Sequence, residues 1–190
     1  MDIIVKYIDE LLEKSTPEAP MWNIEKIRQG LKSNWNYIDG VMIKAVLQMY
    51  DVTKDEKYLK FADNFIDYRV HEDGTIDGYN IGEKNIDNVN AGKTLFELYD
   101  LTGKEKYRKA IDLVYSQIEI MPRCNNEARS FWHKDIYPNQ VWLDGMYMGQ
   151  PFYLEYETKF NNRKNYPDIF AQFKYCLLYT SDAADEARSV

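Results

Sequence analysis

A chain of 190 residues that is 45% hydrophobic and 29% charged is long enough to bury a core as one domain and too apolar for disorder. Its formal charge of −7, from 31 acidic against 24 basic residues, excludes a nucleic-acid binder working through a broad basic surface, so an acidic ligand needs a local basic pocket. Aromatic residues make up 15% of the chain, with 16 Tyr and 4 Trp, and their flat faces with polar tips suit stacking on sugars as well as helix packing.

The N-terminal stretch MDIIVKYIDELLEKS sets Ile4, Ile8, Leu11 and Leu12 at helical spacing among acidic residues, which predicts an amphipathic helix rather than a signal peptide. Nothing in the chain reads as a membrane span. Cys124 and Cys176 form neither a disulfide framework nor a zinc spacing, so a reducing, cytoplasmic location is the default.

Two segments then repeat. YDVTKDEKYLKFAD (50–63) lies over YDLTGKEKYRKAID (99–112) at an offset of 49 residues, and a duplicated unit of this length implies one supersecondary element used twice. Each copy has the spacing of a capping box, Thr53 with Glu56 and Thr102 with Glu105, which predicts two helix starts. The apolar faces that follow agree: Tyr58, Phe61, Ala62, Phe65 and Ile66 in the first, Tyr107, Ala110, Ile111, Val114 and Tyr115 in the second. Each capping box is preceded by a segment apolar almost all round, VMIKAVLQMY (41–50) and NAGKTLFELY (90–99), the mark of a buried helix. A buried helix, a turn and an amphipathic helix make a hairpin, and a third copy begins at GMYMGQPFYLEYE (145–157). HEDGTIDGY (71–79) has turn dipeptides without flanking alternation and is expected to be a loop, with His71 on its surface. The class is therefore all-α, with stacked hairpins in an open solenoid or a closed ring; the long polar loops before the inner helices favour a ring with a working face.

The inner helices are entered through WNYIDG (35–40), NIDNVNAG (85–92) and VWLDGMYM (141–148), which place Asp39, Asp87 and Asp144 at or beside a helix start. Each alone reads as a helix cap. In a ring the same ends of successive inner helices face one mouth, so the three carboxylates are expected to gather there. A neighbouring negative charge, with Trp142 excluding water, then raises one pKa and keeps that acid protonated near neutral pH. Paired carboxylates of this kind split glycosidic bonds. His133 and Lys134 supply the local positive charge that an anionic ligand needs.

FWHKDIYPNQVWLDGMYMGQPF (131–152) resembles the signature of the unsaturated rhamnogalacturonyl hydrolases, glycoside hydrolase family 105. Members typically show Phe-Trp-His-Lys followed by Gln-Met-Trp-Leu-Asp-Gly-Leu-Tyr-Met and Pro-Phe. WNYIDGV, IDNVNAGKTLFELYDLTGKEKYR and the Pro-Arg at 122–123 match in order and spacing. Val141 stands where Met is usual, and CNNEARS (124–130) lacks the glycines that commonly precede Phe-Trp-His-Lys.

The resemblance implies an (α/α)6 barrel and removal of 4,5-unsaturated galacturonic acid from the non-reducing end of rhamnogalacturonan oligosaccharides. In that chemistry an Asp protonates C4 of a vinyl ether, water adds at C5, and the hemiketal opens and expels the next sugar. By motif position Asp144 is the acid/base and Asp87 the second carboxylate, while Tyr37, His133, Lys134 and Trp142 line the substrate site. No cofactor, metal, nucleic acid or membrane partner is implied. An unsaturated glucuronyl hydrolase acting on glycosaminoglycan disaccharides, and a non-catalytic helical-repeat binding module, are the alternatives. Six hairpins at this period need about 300 residues, so residues 1–175 are expected to be the N-terminal half of one catalytic domain. CLLYTSDAADEARSV (176–190) departs from the family pattern and is expected to be a foreign or read-through tail.

Overall fold

The computed structural model describes the backbone of residues 2–125 and 127–186 and the side chains of 3–125 and 127–176. Among the described residues eight α-helices form: α1 Asp2–Glu13, α2 Ile24–Arg28, α3 Tyr37–Thr53, α4 Glu56–Asp67, α5 Lys93–Thr102, α6 Glu105–Ile120, α7 Leu143–Phe160 and α8 Tyr166–Glu186. Among the described residues there is no strand, only three isolated antiparallel bridges, Val70 with Ile76, Asn85 with Lys134 and Arg123 with Phe131. The expected tail begins inside α8, and its residues 187–190 lie outside the described residues. No helix among the described residues is long and apolar enough to cross a membrane.

The chain divides into two compact units, Met1–Tyr79 with Ala91–Leu113, and Asn80–Asn90 with Val114–Val190. In the first, α3 packs on α4 and on α5. Its core is built from Ile43, Val46 and Leu47 of α3, Tyr58, Ala62, Phe65 and Ile66 of α4, and Leu95, Phe96 and Leu98 of α5, all buried, while Phe61 of the expected α4 face is half-buried. Burying each such side chain contributes about 1.5–3 kcal/mol. The whole expected face of α6 is buried too, Tyr107, Ala110 and Ile111 in the first unit and Val114 and Tyr115 in the second.

The duplicated segment makes the same turn twice, but not as capping boxes. Thr53 and Thr102 are the last residues of α3 and α5. Their hydroxyls donate backward to the carbonyls of Met49 and Leu98, each at 2.6 Å, and accept from the N–H of Asp55 at 3.2 Å and of Lys104 at 3.4 Å. The next residue ends each helix in the left-handed conformation, Lys54 at φ 57° and Gly103 at φ 69°, the usual way of stopping a helix. In the first copy the N-cap is Asp55, whose side chain accepts from Lys57 N. Glu56 and Glu105 do not reach back to a capping residue; each accepts instead from the hydroxyl of the preceding helix's tyrosine, Tyr50 and Tyr99, at 3.4 Å. A threonine hydroxyl serves a helix's exit as readily as its entrance, and here the exit wins.

In the second unit α7 packs on α8, and their connection is organised by a buried carboxylate. Glu157 accepts from Tyr115 Oη at 2.8 Å, from Asn161 Nδ2 and Asn165 Nδ2 at 2.9 Å, and from the backbone N–H of Asn165 at 2.9 Å. Burial pushes its pKa up, and these four donors outweigh burial and hold it below the ordinary glutamate value.

Candidate active site

Asp87 and His133 are brought together by backbone, not by their own side chains. Asn85 and Lys134 form a bridge, the N–H of Ile86 donates to the carbonyl of His133 at 3.0 Å, and Gln117 of α6 donates to the carbonyl of Asn85 at 2.8 Å. Asp87 follows in the first turn of a 3₁₀ stretch, Ile86–Gly92, where the side chain of Asn85 accepts its N–H at 3.1 Å. Capping there belongs to Asn85, which leaves the Asp87 carboxylate for other work. That carboxylate is buried, with its residue 7% exposed, and Lys134 Nζ sits 2.9 Å from Oδ2. His133 Nε2 is 3.4 Å from Oδ1, at an angle that makes an electrostatic contact rather than a hydrogen bond.

Asp144 arrives from the start of α7. Trp142 is the N-cap and offers no side-chain cap, so Asp144 lies inside the first turn, where the helix dipole favours a negative charge. One oxygen accepts from Gly145 N at 3.0 Å and the side chain is exposed. Asp87, His133 and Asp144 each bring one ligand-capable atom to within 4.8 Å of the others. Two carboxylates and an imidazole at that spacing could hold a cation; the positive charge on Asp87 here is the Lys134 ammonium.

The imidazole is only 2% exposed and lies flat against Trp142, with ring centroids 4.2 Å apart and planes 15° from parallel. Tyr137 stacks parallel to Trp142 too, at 5.2 Å, so the indole joins two aromatic neighbours. Gln140 serves both ends of this arrangement: its carbonyl accepts from His133 N at 2.8 Å and its side chain from Trp142 Nε1 at 3.0 Å. Burial depresses the His133 pKa; Asp87 and Asp144 pull it up, Lys134 pushes it down, and the outcome lies below the ordinary histidine value of 6.5. The ring is neutral at pH 7.

The cluster therefore unites Asp87, His133, Lys134, Trp142 and Asp144. Tyr37 belongs to the first unit, half exposed in the first turn of α3. Asp39 is not in the cluster. It lies buried at the start of α3, where Oδ1 accepts from Trp22 Nε1 at 2.7 Å and Asn23 Nδ2 at 3.1 Å, and Oδ2 from Asn36 Nδ2 at 3.0 Å and Ser33 Oγ at 3.2 Å. Burial pushes the Asp39 carboxyl above its ordinary pKa. His71 is on the surface, 2.8 Å from Asp77, and Cys124 is a buried thiol.

Residues 7–186 match Glycosyl Hydrolase Family 88. The chain belongs to that family. It is also similar to a solved glycoside hydrolase from family 105 of C. acetobutylicum ATCC 824, at 41% identity and a TM-score of 0.73 over 87% of this chain and 43% of the other. The family 105 resemblance carried by residues 131–152 is thus borne out, and the family 88 chain spans less than half the length of that structure.

Spacing alone does not mark the supporting residues of this family 88 site. Gly145 is the clearest case. A Cβ there would stand 2.9 Å from His133 Nδ1 and 3.3 Å from Ile86 Cγ2, although alanine is the better helix former by about 1 kcal/mol. Gly145→Ala is expected to destabilise the second unit by about 1–3 kcal/mol and to push the His133 ring out of its stack on Trp142. Urea denaturation measures the first effect, and tryptophan fluorescence of the folded variant the second.

Proposed function

We propose that the complete enzyme is a hydrolase that removes 4,5-unsaturated galacturonic acid from the non-reducing end of rhamnogalacturonan oligosaccharides, and so takes part in pectin breakdown. The observation that carries this reading is the meeting of Asp87, His133 and Asp144 within 4.8 Å beside the Trp142 face. In the proposed reaction Asp144, exposed and therefore open to substrate, gives a proton to C4 of the vinyl ether. The cation left at C5 takes a water, whose proton returns to the carboxylate. The C5 hemiketal then opens to a ketone, the ring oxygen becomes a hydroxyl on C1, and the hemiacetal formed there releases the next sugar.

Asp87, held by Lys134, is assigned to binding sugar hydroxyls and to keeping negative charge near the C5 cation. His133, neutral and buried, offers a hydrogen bond without adding charge. Trp142 offers a half-exposed ring for a sugar face. The buried Cys124 thiol, outside any disulfide, accords with action in the cytoplasm.

Loss of the absorbance of the C4–C5 double bond, followed separately on unsaturated galacturonyl-rhamnose and on an unsaturated glucuronyl disaccharide from a glycosaminoglycan, tests the assignment. Faster turnover of the galacturonyl substrate is expected. Preference for the glucuronyl substrate would move the enzyme to glycosaminoglycans, and binding without turnover of either would leave a sugar-binding module.

A further inference from the structure

A small cavity in the second unit is lined by residues that include Trp132, His133, Gly145 and Gln150. Three buried polar atoms on those residues have no hydrogen-bond partner: His133 Nδ1, Gln150 Oε1 and Trp132 Nε1. An unsatisfied buried polar group costs about 1–3 kcal/mol, so three around one cavity call for a common partner.

The orientation of the Gln150 amide follows from its neighbours. Arg123 grips Asp168 with two hydrogen bonds, 2.7 and 3.0 Å, and Asp168 Oδ2 accepts from Gln172 Nε2 at 3.1 Å. Gln172 must therefore turn its oxygen the other way, where it accepts from the N–H of Phe131 at 3.1 Å and from Gln150 Nε2 at 3.0 Å. With its NH₂ committed to Gln172, Gln150 presents Oε1 as an acceptor.

The imidazole is oriented in the same way. Nε2 faces a carboxylate oxygen of Asp87 at 3.4 Å, and an ionised carboxylate only accepts, so in the neutral ring the proton is on Nε2. Nδ1 is then an acceptor. The residues around the cavity thus offer two unpartnered acceptors, His133 Nδ1 and Gln150 Oε1, and one unpartnered donor, Trp132 Nε1–H. A water molecule has two protons to give and a lone pair to receive one. The space is that of about one water.

We infer that one resident water binds among His133, Gln150 and Trp132, donating to His133 Nδ1 and Gln150 Oε1 and accepting from Trp132 Nε1–H. Gln150 and Trp132 are thereby positioning residues: through the water they hold His133 in the tautomer that presents Nε2–H to Asp87 and the cleft. The inference is independent of which sugar the enzyme acts on.

Two measurements on this chain test it, and neither uses activity. Long-range ¹H–¹⁵N spectra resolve the chain's two histidines, and His133 should show a protonated Nε2 and a hydrogen-bonded, bare Nδ1. Gln150→Met keeps the volume and removes the acceptor, together with the NH₂ that donates to Gln172; it should shift the His133 Nδ1 resonance toward that of an unbonded nitrogen and leave His71 unmoved. Trp132→Phe removes the donor along with part of the ring volume and should give a smaller shift in the same direction, which keeps the test open if Gln150→Met does not fold. A crystal structure at atomic resolution should place one ordered water within hydrogen-bond distance of all three atoms. A dry cavity, a proton on Nδ1, or a Nδ1 resonance indifferent to both substitutions would overturn the inference.

Discussion

Asp144→Asn in the complete enzyme is expected to lower turnover of an unsaturated galacturonyl disaccharide by about 10²- to 10⁴-fold, the usual worth of a positioned general acid/base, while the helical circular dichroism stays that of the parent. The substitution is mild for the fold. The side chain is exposed and its structural contact is a hydrogen bond accepted from Gly145 N at 3.0 Å, which an amide oxygen also accepts. An amide cannot give a proton to C4 or take one back from water, so the loss belongs to chemistry. Activity within about threefold of the parent would remove Asp144 from the acid/base role, since a real contribution exceeds that by more than a factor of ten. Asp87→Asn separates the two carboxylates. It weakens the pairing with Lys134 at 2.9 Å and is expected to act on KM as well as on kcat, because its assigned partners are sugar hydroxyls.

The helices were legible in the sequence because their periodicity is tied to burial. Ile43, Leu47, Tyr58, Phe65, Tyr107 and Ile111 recur at helical spacing and are the residues removed from water. The long loop carrying His133 was legible for the opposite reason, since FWHKDIYPNQVW has no apolar period. What spacing could not settle is the choice among short polar interactions of similar worth. Thr53 and Thr102 each have a glutamate three residues on, as a capping box requires, yet each bonds backward to Met49 or Leu98. That choice depends on whether the following residue enters the left-handed region, which Lys54 does as well as Gly103. Asp39, Asp87 and Asp144 look alike in the chain, each beside a helix start, and their environments differ through residues far away: Arg69 for Asp39, the bridge from Asn85 to Lys134 for Asp87. Gln150 and Gln172 are polar yet buried, and the bonds from Gln150 to Gln172 and from Phe131 N to Gln172 join segments that no local pattern connects.

Asp39→Ala is expected to destabilise the first unit by about 3–5 kcal/mol, the cost of leaving a buried charge unpaired. Arg69 is 3% exposed, and its Nη2 is 3.8 Å from Asp39 Oδ2 while donating to the carbonyl of Pro17 at 2.5 Å. Burial drives the Arg69 pKa down and the Asp39 pKa up; the guanidinium stays charged whatever its surroundings, so it is a buried charge that the carboxylate offsets. Removing the carboxylate strands the guanidinium and takes the acceptor from Trp22, Asn23, Ser33 and Asn36 together. Asn36 is also the N-cap of α3, accepting from Asp39 N at 3.0 Å, so the carboxylate and the cap hold one another in a reciprocal pair, and the start of α3 loosens with both. Asp39→Asn retains one acceptor oxygen and the shape of the side chain, and is expected to cost less than Asp39→Ala. Urea midpoints for the two variants measure the order. Equal and small losses, below about 1 kcal/mol, would place Asp39 among ordinary surface caps, whose removal costs that much.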